Sequence, residues 1–207
     1  MAGRAIVGTY KKIVLDTKRN IFGLTDVTLT LRFGDKKKTI QMVEVIDQSV
    51  QPLEGIVLSA NAPAGSYHIV VNDASGIKPN DVLKIGNEYV VVKAVDTSTK
   101  TISLRYRLKQ THASGEEVER VGNTGFYEAS WFVDLNDPDL GPLSIGDTIL
   151  VDISSVSGGF LFEGQLITIE DNTFAKLNTI DSKIDEIRDM VDGMIGYSDD
   201  DRSRVLV

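Results

Sequence analysis

Cysteine is absent from the 207 residues, histidine occurs only twice and tryptophan once. Without cysteine there are no disulfides, no thiolate nucleophile and no zinc site built on sulfur, so nothing in the stability depends on an oxidising compartment. Long apolar runs are missing too. No stretch reaches the ~18 consecutive apolar residues of a membrane-crossing helix, and the opening Met1-Ala-Gly-Arg-Ala-Ile-Val-Gly-Thr-Tyr-Lys-Lys12 lacks the apolar core of a signal peptide. The expectation is a soluble protein made in a cytoplasm, with no membrane partner. Positive charge is scarce as well: 22 Lys and Arg against 30 Asp and Glu leave a net charge of −8. Affinity for nucleic acid comes chiefly from neutralising phosphates with cations, so no nucleic-acid partner is expected. The sole basic cluster, Lys36-Lys37-Lys38, follows Gly34-Asp35 and reads as a solvated hairpin tip.

What is present is mostly β pattern. Val27-Thr-Leu-Thr-Leu-Arg-Phe33 alternates apolar and polar residues, Gly34-Asp35 turns it, and Thr39-Ile-Gln-Met-Val-Glu-Val-Ile46 returns. Gly125 to Asp134, Asp147 to Ile153 and Leu161 to Ile169 carry the same period of two. Between these groups, Ser66–Val71, Asp81–Ile85, Glu88–Val95 and Thr101–Arg107 form a meander of short strands, consistent with a small barrel or half-barrel. Small and charged residues flank it at Ala60–Gly65 and Gly115–Asn123.

The expected fold is therefore mainly β. Residues 21–56 and 123–170 make a discontinuous β-sandwich, residues 57–122 a small β-barrel-like domain inserted into one of its connections, and residues 1–20 an N-terminal arm of weak pattern. Two tandem β domains are the alternative. The insertion is preferred because the N-terminal piece alone holds only two or three strands, too few for an independent fold.

A helix is expected over 171–196, with a tail over 197–207. Asp171-Asn-Thr173 offers N-cap chemistry, and Leu177, Ile180, Ile184, Ile187, Val191 and Met194 alternate three and four apart to paint one narrow apolar seam. Such a seam calls for self-association, the alternative being a helix folded back on its own domain. β-Branched residues at both sets of seam positions favour a trimer over a dimer.

The segment Gly76-Ile-Lys-Pro-Asn-Asp-Val-Leu-Lys-Ile-Gly-Asn-Glu-Tyr-Val-Val-Val-Lys-Ala-Val-Asp96, with Thr101-Ile-Ser-Leu104 and Thr111-His-Ala-Ser-Gly115, resembles a small β module of tailed-bacteriophage structural proteins. Gly23-Leu-Thr-Asp-Val-Thr-Leu-Thr-Leu31 and Thr124-Gly-Phe-Tyr-Glu-Ala-Ser-Trp-Phe132 look like phage immunoglobulin-like domains, which often continue into a helix such as Ile180-Asp-Ser-Lys-Ile-Asp-Glu-Ile187. The resemblance covers most of the chain and consists of strand and turn patterns without a chemical signature. It implies an Ig-like β-sandwich and a virion component, a fibre, decoration, neck or tail-associated adaptor present in repeated copies. Its partners would then be itself and other virion proteins, and its location the virion, after synthesis in the cytoplasm of the host bacterium.

Chemical motifs are few. No Gly-x-Gly-x-x-Gly, Walker-type loop or His-Glu-x-x-His occurs, and neither histidine has the spacing of a triad or a metal site. No enzyme and no cofactor are expected. Asp134-Leu-Asn-Asp-Pro-Asp139 places four oxygen-bearing side chains, Asp134, Asn136, Asp137 and Asp139, in six residues, a weak calcium candidate without the glycine of an EF-hand loop; turn chemistry explains the same residues. On the strand around Trp131, the residues Tyr127, Ala129, Trp131 and Val133 share the face expected to be core. The alternative function is a carbohydrate- or host-surface-binding adhesin module, with a loop aromatic such as Tyr106 holding a glycan.

Overall fold

The computed structural model describes residues 3–18 and 21–171, together with Lys183, Ile184 and Ile187. The chain is mainly β. Its strands are β1 (Gly3–Ile6), β2 (Tyr10–Asp16), β3 (Thr28–Phe33), β4 (Lys36–Gln41), β5 (Val43–Ile46), β6 (His68–Val70), β7 (Val82–Ile85), β8 (Glu88–Asp96), β9 (Thr101–Leu104), β10 (Val118–Val121), β11 (Asn123–Phe132), β12 (Thr148–Ser155) and β13 (Phe160–Glu170).

They form three sheets, ordered β1-β13-β12-β3-β4, β2-β11-β5 and β10-β7-β8-β9-β6. The first two enclose a common apolar cluster. Leu29 and Leu31 of β3, Ile149, Val151 and Ile153 of β12, and Ile167 and Ile169 of β13 meet Ile13 and Leu15 of β2 and Tyr127, Ala129 and Trp131 of β11. Register reinforces composition, since Leu31 lies opposite Val151 and Leu29 opposite Ile153, so each cross-strand pair buries apolar against apolar. Tyr127, Ala129, Trp131 and Val133 are all buried, the face that the alternation around Trp131 selects.

The third sheet has its own core, centred on Leu58, Ile69, Val71, Leu83, Ile85 and Ile102. The stretch carrying it leaves the sandwich-like pair of sheets after Ile46 and returns at Asn123, and these two residues lie opposite each other in the ladder. Ends this close make a long excursion inexpensive in loop-closure entropy. The exit and the return cross at Gly122, whose carbonyl accepts from the Asp47 amide at 2.7 Å. A Cβ on Gly122 would stand 2.3 Å from the Asp47 carbonyl oxygen, so only glycine fits.

Three expectations need correction. Within the arm expected over 1–20, the described residues 3–18 are not free: β1 pairs in parallel with β13 (Gly3 opposite Ile167 through Ile6 opposite Glu170), β2 pairs along β11, and Ala5, Ile13 and Leu15 are buried in the main core. The return strand from Thr39 to Ile46 is not continuous. At Met42, which is 1% exposed and whose amide donates to the Val27 carbonyl, the chain changes sheets, with β4 on one and β5 on the other. Lys38 is not a solvated tip residue; its ammonium lies 2.7 Å from the buried Asp137 carboxylate and 3.3 Å from Asp139.

Replacing Gly122 by alanine forces the two crossing segments apart. The expected cost is ~2 kcal/mol, the scale of a forced overpacking, read as a lowered urea midpoint; an unchanged midpoint would mean that the crossing tolerates a side chain.

Candidate functional site

Two features stand out against the apolar cores, one within the stretch between Ile46 and Asn123 and one where that stretch meets the segment around Phe22. In the first, the His112 imidazole is 3% exposed between two carboxylates. Its Nε2 lies 3.0 Å from Glu88 Oε2 and its Nδ1 2.8 Å from Glu116 Oε2. Glu88 opens β8 immediately after the Gly86-Asn87 turn, on the same parity as the buried Val90 and Val92, and is itself buried. It also accepts from the amides of Lys109 at 2.7 Å and Gln110 at 3.1 Å, so it fastens the Arg105–Gln110 segment to the start of β8. Glu116 accepts from the Ala113 amide at 3.0 Å.

Both ring nitrogens face carboxylate oxygens, so both bonds form together only with a proton on each nitrogen, that is, as the imidazolium. Burial opposes that charge, but the hydrogen bonds from Glu88 and Glu116 outweigh it, and His112 holds its proton above the ordinary histidine range. The Ala113 amide and the His112 ring hold the Glu116 carboxyl below the usual range. With both nitrogens committed, His112 does not serve as a base for Ser114, whose hydroxyl points instead to the Leu58 carbonyl at 3.4 Å. The carboxylates sit on opposite sides of the ring, and among the described residues no three acidic or histidine side chains converge as a metal site. His68 is exposed, with Nδ1 3.2 Å from Ser103 Oγ.

The second feature is a cleft of about 220 Å³ where the segment between β2 and β3 meets the third sheet. Phe22 packs on Val82 and Val91, with its ring centroid 6.1 Å from that of Tyr89. Gly23 has φ +67° and lies so close under Tyr89 that a Cβ would stand 2.5 Å from the ring. Tyr106, Arg107 and Lys109 also line this cleft. An adjoining cleft of about 230 Å³ shares Phe22, Glu88, Tyr89 and Lys109 and adds the polar groups of Asn87, Gln110 and Ser157.

The acidic string after Trp131 is anchored by Asp137. Asp137 is 2% exposed; it accepts from Trp131 Nε1 at 3.3 Å and from the amides of Asp139 and Leu140, and it pairs with Lys38. Asp134 accepts from the Asn136 amide. Of the four candidate side chains, Asp137 has both of its carboxylate oxygens engaged by these partners. Of the expected seam, Ile184 and Ile187 have helical backbone and are 48% and 55% exposed. Leu177, Ile180, Val191 and Met194 lie outside the described residues, as do most of the helix expected over 171–196 and the whole tail over 197–207.

Comparison with protein-family models and with curated proteins finds no match.

The clamp predicts a pH profile. The raised His112 pKa contributes stability in full below the unfolded value of ~6.5 and loses it as pH rises through the folded pKa. The lowered Glu116 pKa contributes above ~4.3 and loses it as pH falls through the folded pKa. Urea unfolding followed on the third sheet should therefore weaken from pH ~6 toward pH ~9. His112→Ala should flatten that alkaline limb and cost ~3 kcal/mol at pH ~6, because Glu88 is left buried without its partner. A wild-type midpoint flat across this range would show that the imidazolium is not the bound form.

Proposed function

We propose that this protein is a non-enzymatic structural component of a tailed-phage virion, a fibre, neck, decoration or tail-associated adaptor, that assembles as an oligomer through protein–protein contacts. In this reading the two facing sheets are the Ig-like sandwich, the third sheet is the inserted small β domain, and Leu177 to Met194 supply a coiled-coil seam. The observation that carries it is apolar side chains left in solvent on an otherwise well-packed β framework. On the seam, Ile184 and Ile187 are exposed. At the margin of the sandwich-like sheets, Val14, Leu161 and Phe162 are 49%, 58% and 52% exposed around a groove of about 450 Å³. Exposed apolar groups gathered in this way mark association surfaces. Among the described residues strand β13 adds an unpaired edge, because β1 covers only Ile167 to Glu170.

A second reading, a carbohydrate- or host-surface-binding adhesin module, is favoured by one observation: Tyr106 is 45% exposed in a cleft also lined by the Phe22–Tyr89 pair. Half-exposed aromatic rings beside amide and hydroxyl groups suit the faces and hydroxyls of a sugar.

Light scattering across a concentration series, on the full-length protein and on a version ending at Glu170, tests the first reading. A full-length oligomer, trimeric on the seam chemistry, that dissociates to monomer on truncation is the expected result. Ile184→Asp with Ile187→Asp in the full chain should reproduce the dissociation without loss of β structure by circular dichroism. Monomers throughout would defeat the assembly reading.

A further inference from the structure

We propose that the cleft between Phe22 and the Arg105–Lys109 segment binds an acidic saccharide, its ring against Tyr106 and its carboxylate or sulfate at Arg107 and Lys109. The inference rests on the saccharide-binding reading above and adds the charge of the ligand.

In a chain with 30 acids and 22 bases, several cations pair with an acid, as Arg32, Lys38, Lys84 and Arg120 do. Arg107 and Lys109 line the same cleft, and among the described residues neither forms an ion pair. Arg107 instead lies over the Tyr67 ring, 5.1 Å from its centroid, an arrangement that orients the guanidinium while leaving its N–H groups free for an anion. The one acid in the cleft is Glu88, and it does not compete. Its two oxygens already accept from the Lys109 and Gln110 amides and from His112, and the imidazolium, shared with Glu116, offsets part of its charge. The clamp thus weakens the repulsion this carboxylate exerts on an anion, while its bonds to two amides hold the segment bearing Tyr106, Arg107 and Lys109 in place.

Shape limits the ligand. Each of the adjoining clefts falls below the ~300 Å³ at the small end of drug-sized pockets. A sugar ring or two therefore fits, and a bulky polycyclic ligand does not. The floor is apolar and aromatic at Phe22, Tyr89 and Val91, and Asn87, Gln110 and Ser157 supply hydrogen-bonding groups in the adjoining cleft. A single nucleic-acid strand would also use rings and cations, but two unpaired cations on a chain of net charge −8 give it few phosphate contacts.

The test uses the full-length protein and titrates four probes by calorimetry and saturation-transfer NMR: a hyaluronan tetrasaccharide, a heparin tetrasaccharide, maltotetraose and oligothymidylate. Binding of at least one acidic tetrasaccharide with Kd no weaker than ~1 mM is expected. Arg107→Gln and Lys109→Gln should each weaken it about tenfold, the scale of a lost charge-assisted hydrogen bond. Tyr106→Ala should abolish it with the circular dichroism spectrum unchanged. Equal binding of maltotetraose, insensitive to the two glutamine variants, overturns the acidic class and leaves saccharide binding standing. Failure of all three saccharides overturns both. Binding of oligothymidylate alone, lost steeply with salt, overturns both in favour of a single-stranded nucleic acid.

Discussion

The Glu44 carboxylate is the interaction on which the arrangement of this molecule turns. Sitting on β5, it accepts from the Gly23 amide at 2.7 Å, Asn123 Nδ2 at 2.6 Å, the Gly125 amide at 2.9 Å and the Tyr127 hydroxyl at 3.4 Å. Three separate parts of the chain thereby meet on one side chain: the segment between β2 and β3, the point where the chain returns from its long excursion, and the buried centre of β11. Hydrogen bonds to an ionised acceptor are worth ~1.5–3 kcal/mol each, about twice a neutral bond. Tyr127 closes the set. Burial pushes its hydroxyl up to about 12, so it stays protonated, donates to Glu44 and accepts from the Leu24 amide.

What Glu44 holds in place matters because the two cores have little else in common. One is built from residues before Ile46 and after Asn123, the other from residues between them, and each is small for a self-sufficient domain. The apolar bridge is Phe22 with Val82 and Val91, and Phe22 reaches them only because Gly23 is pinned to Glu44 and folds under Tyr89 at positive φ. The crossing at Gly122 fixes the other side of the junction. A local polar hub, a single aromatic contact and one obligatory glycine thus determine how the third sheet is presented.

Much of this framework was legible from pattern, and the failures share a physical cause. Alternation over Val27–Phe33 and Phe126–Val133 identified strands and their buried faces, because a period of two on a sheet with one wet side leaves little freedom. The arm was misread because β1 has only four residues and β2 sets Lys11 and Lys12 beside Ile13, Val14 and Leu15; pairing to β13 and β11, not local propensity, makes them strands. Lys38 was misread for the same reason, since its acid lies about a hundred residues away along the chain. The clamp left a fainter trace: a glutamate on the inward parity of an apolar strand, and another four residues after the buried His112. Neither signal names its partner without the fold. Tyr106 was singled out as a loop aromatic, yet nothing local to it points to Phe22 in the same cleft.

The assembly and binding readings draw on different residues of one object, and the chemistry explains why they are compatible. The exposed apolar groups at Val14, Leu161, Phe162, Ile184 and Ile187 are aliphatic or aromatic without cations, a composition suited to contact with protein. The cleft combines rings with unpaired cations and ties up its own acid in bonds to His112 and two amides, a composition suited to a small anionic ligand. No residue is common to the two sets. A structural protein that carries a ligand site needs this separation, because a residue buried by assembly is lost to binding. Here the division follows from the topology: the exposed apolar groups lie outside the excursion, while the cations and the clamp lie within it. Only Phe22 crosses over to line the cleft.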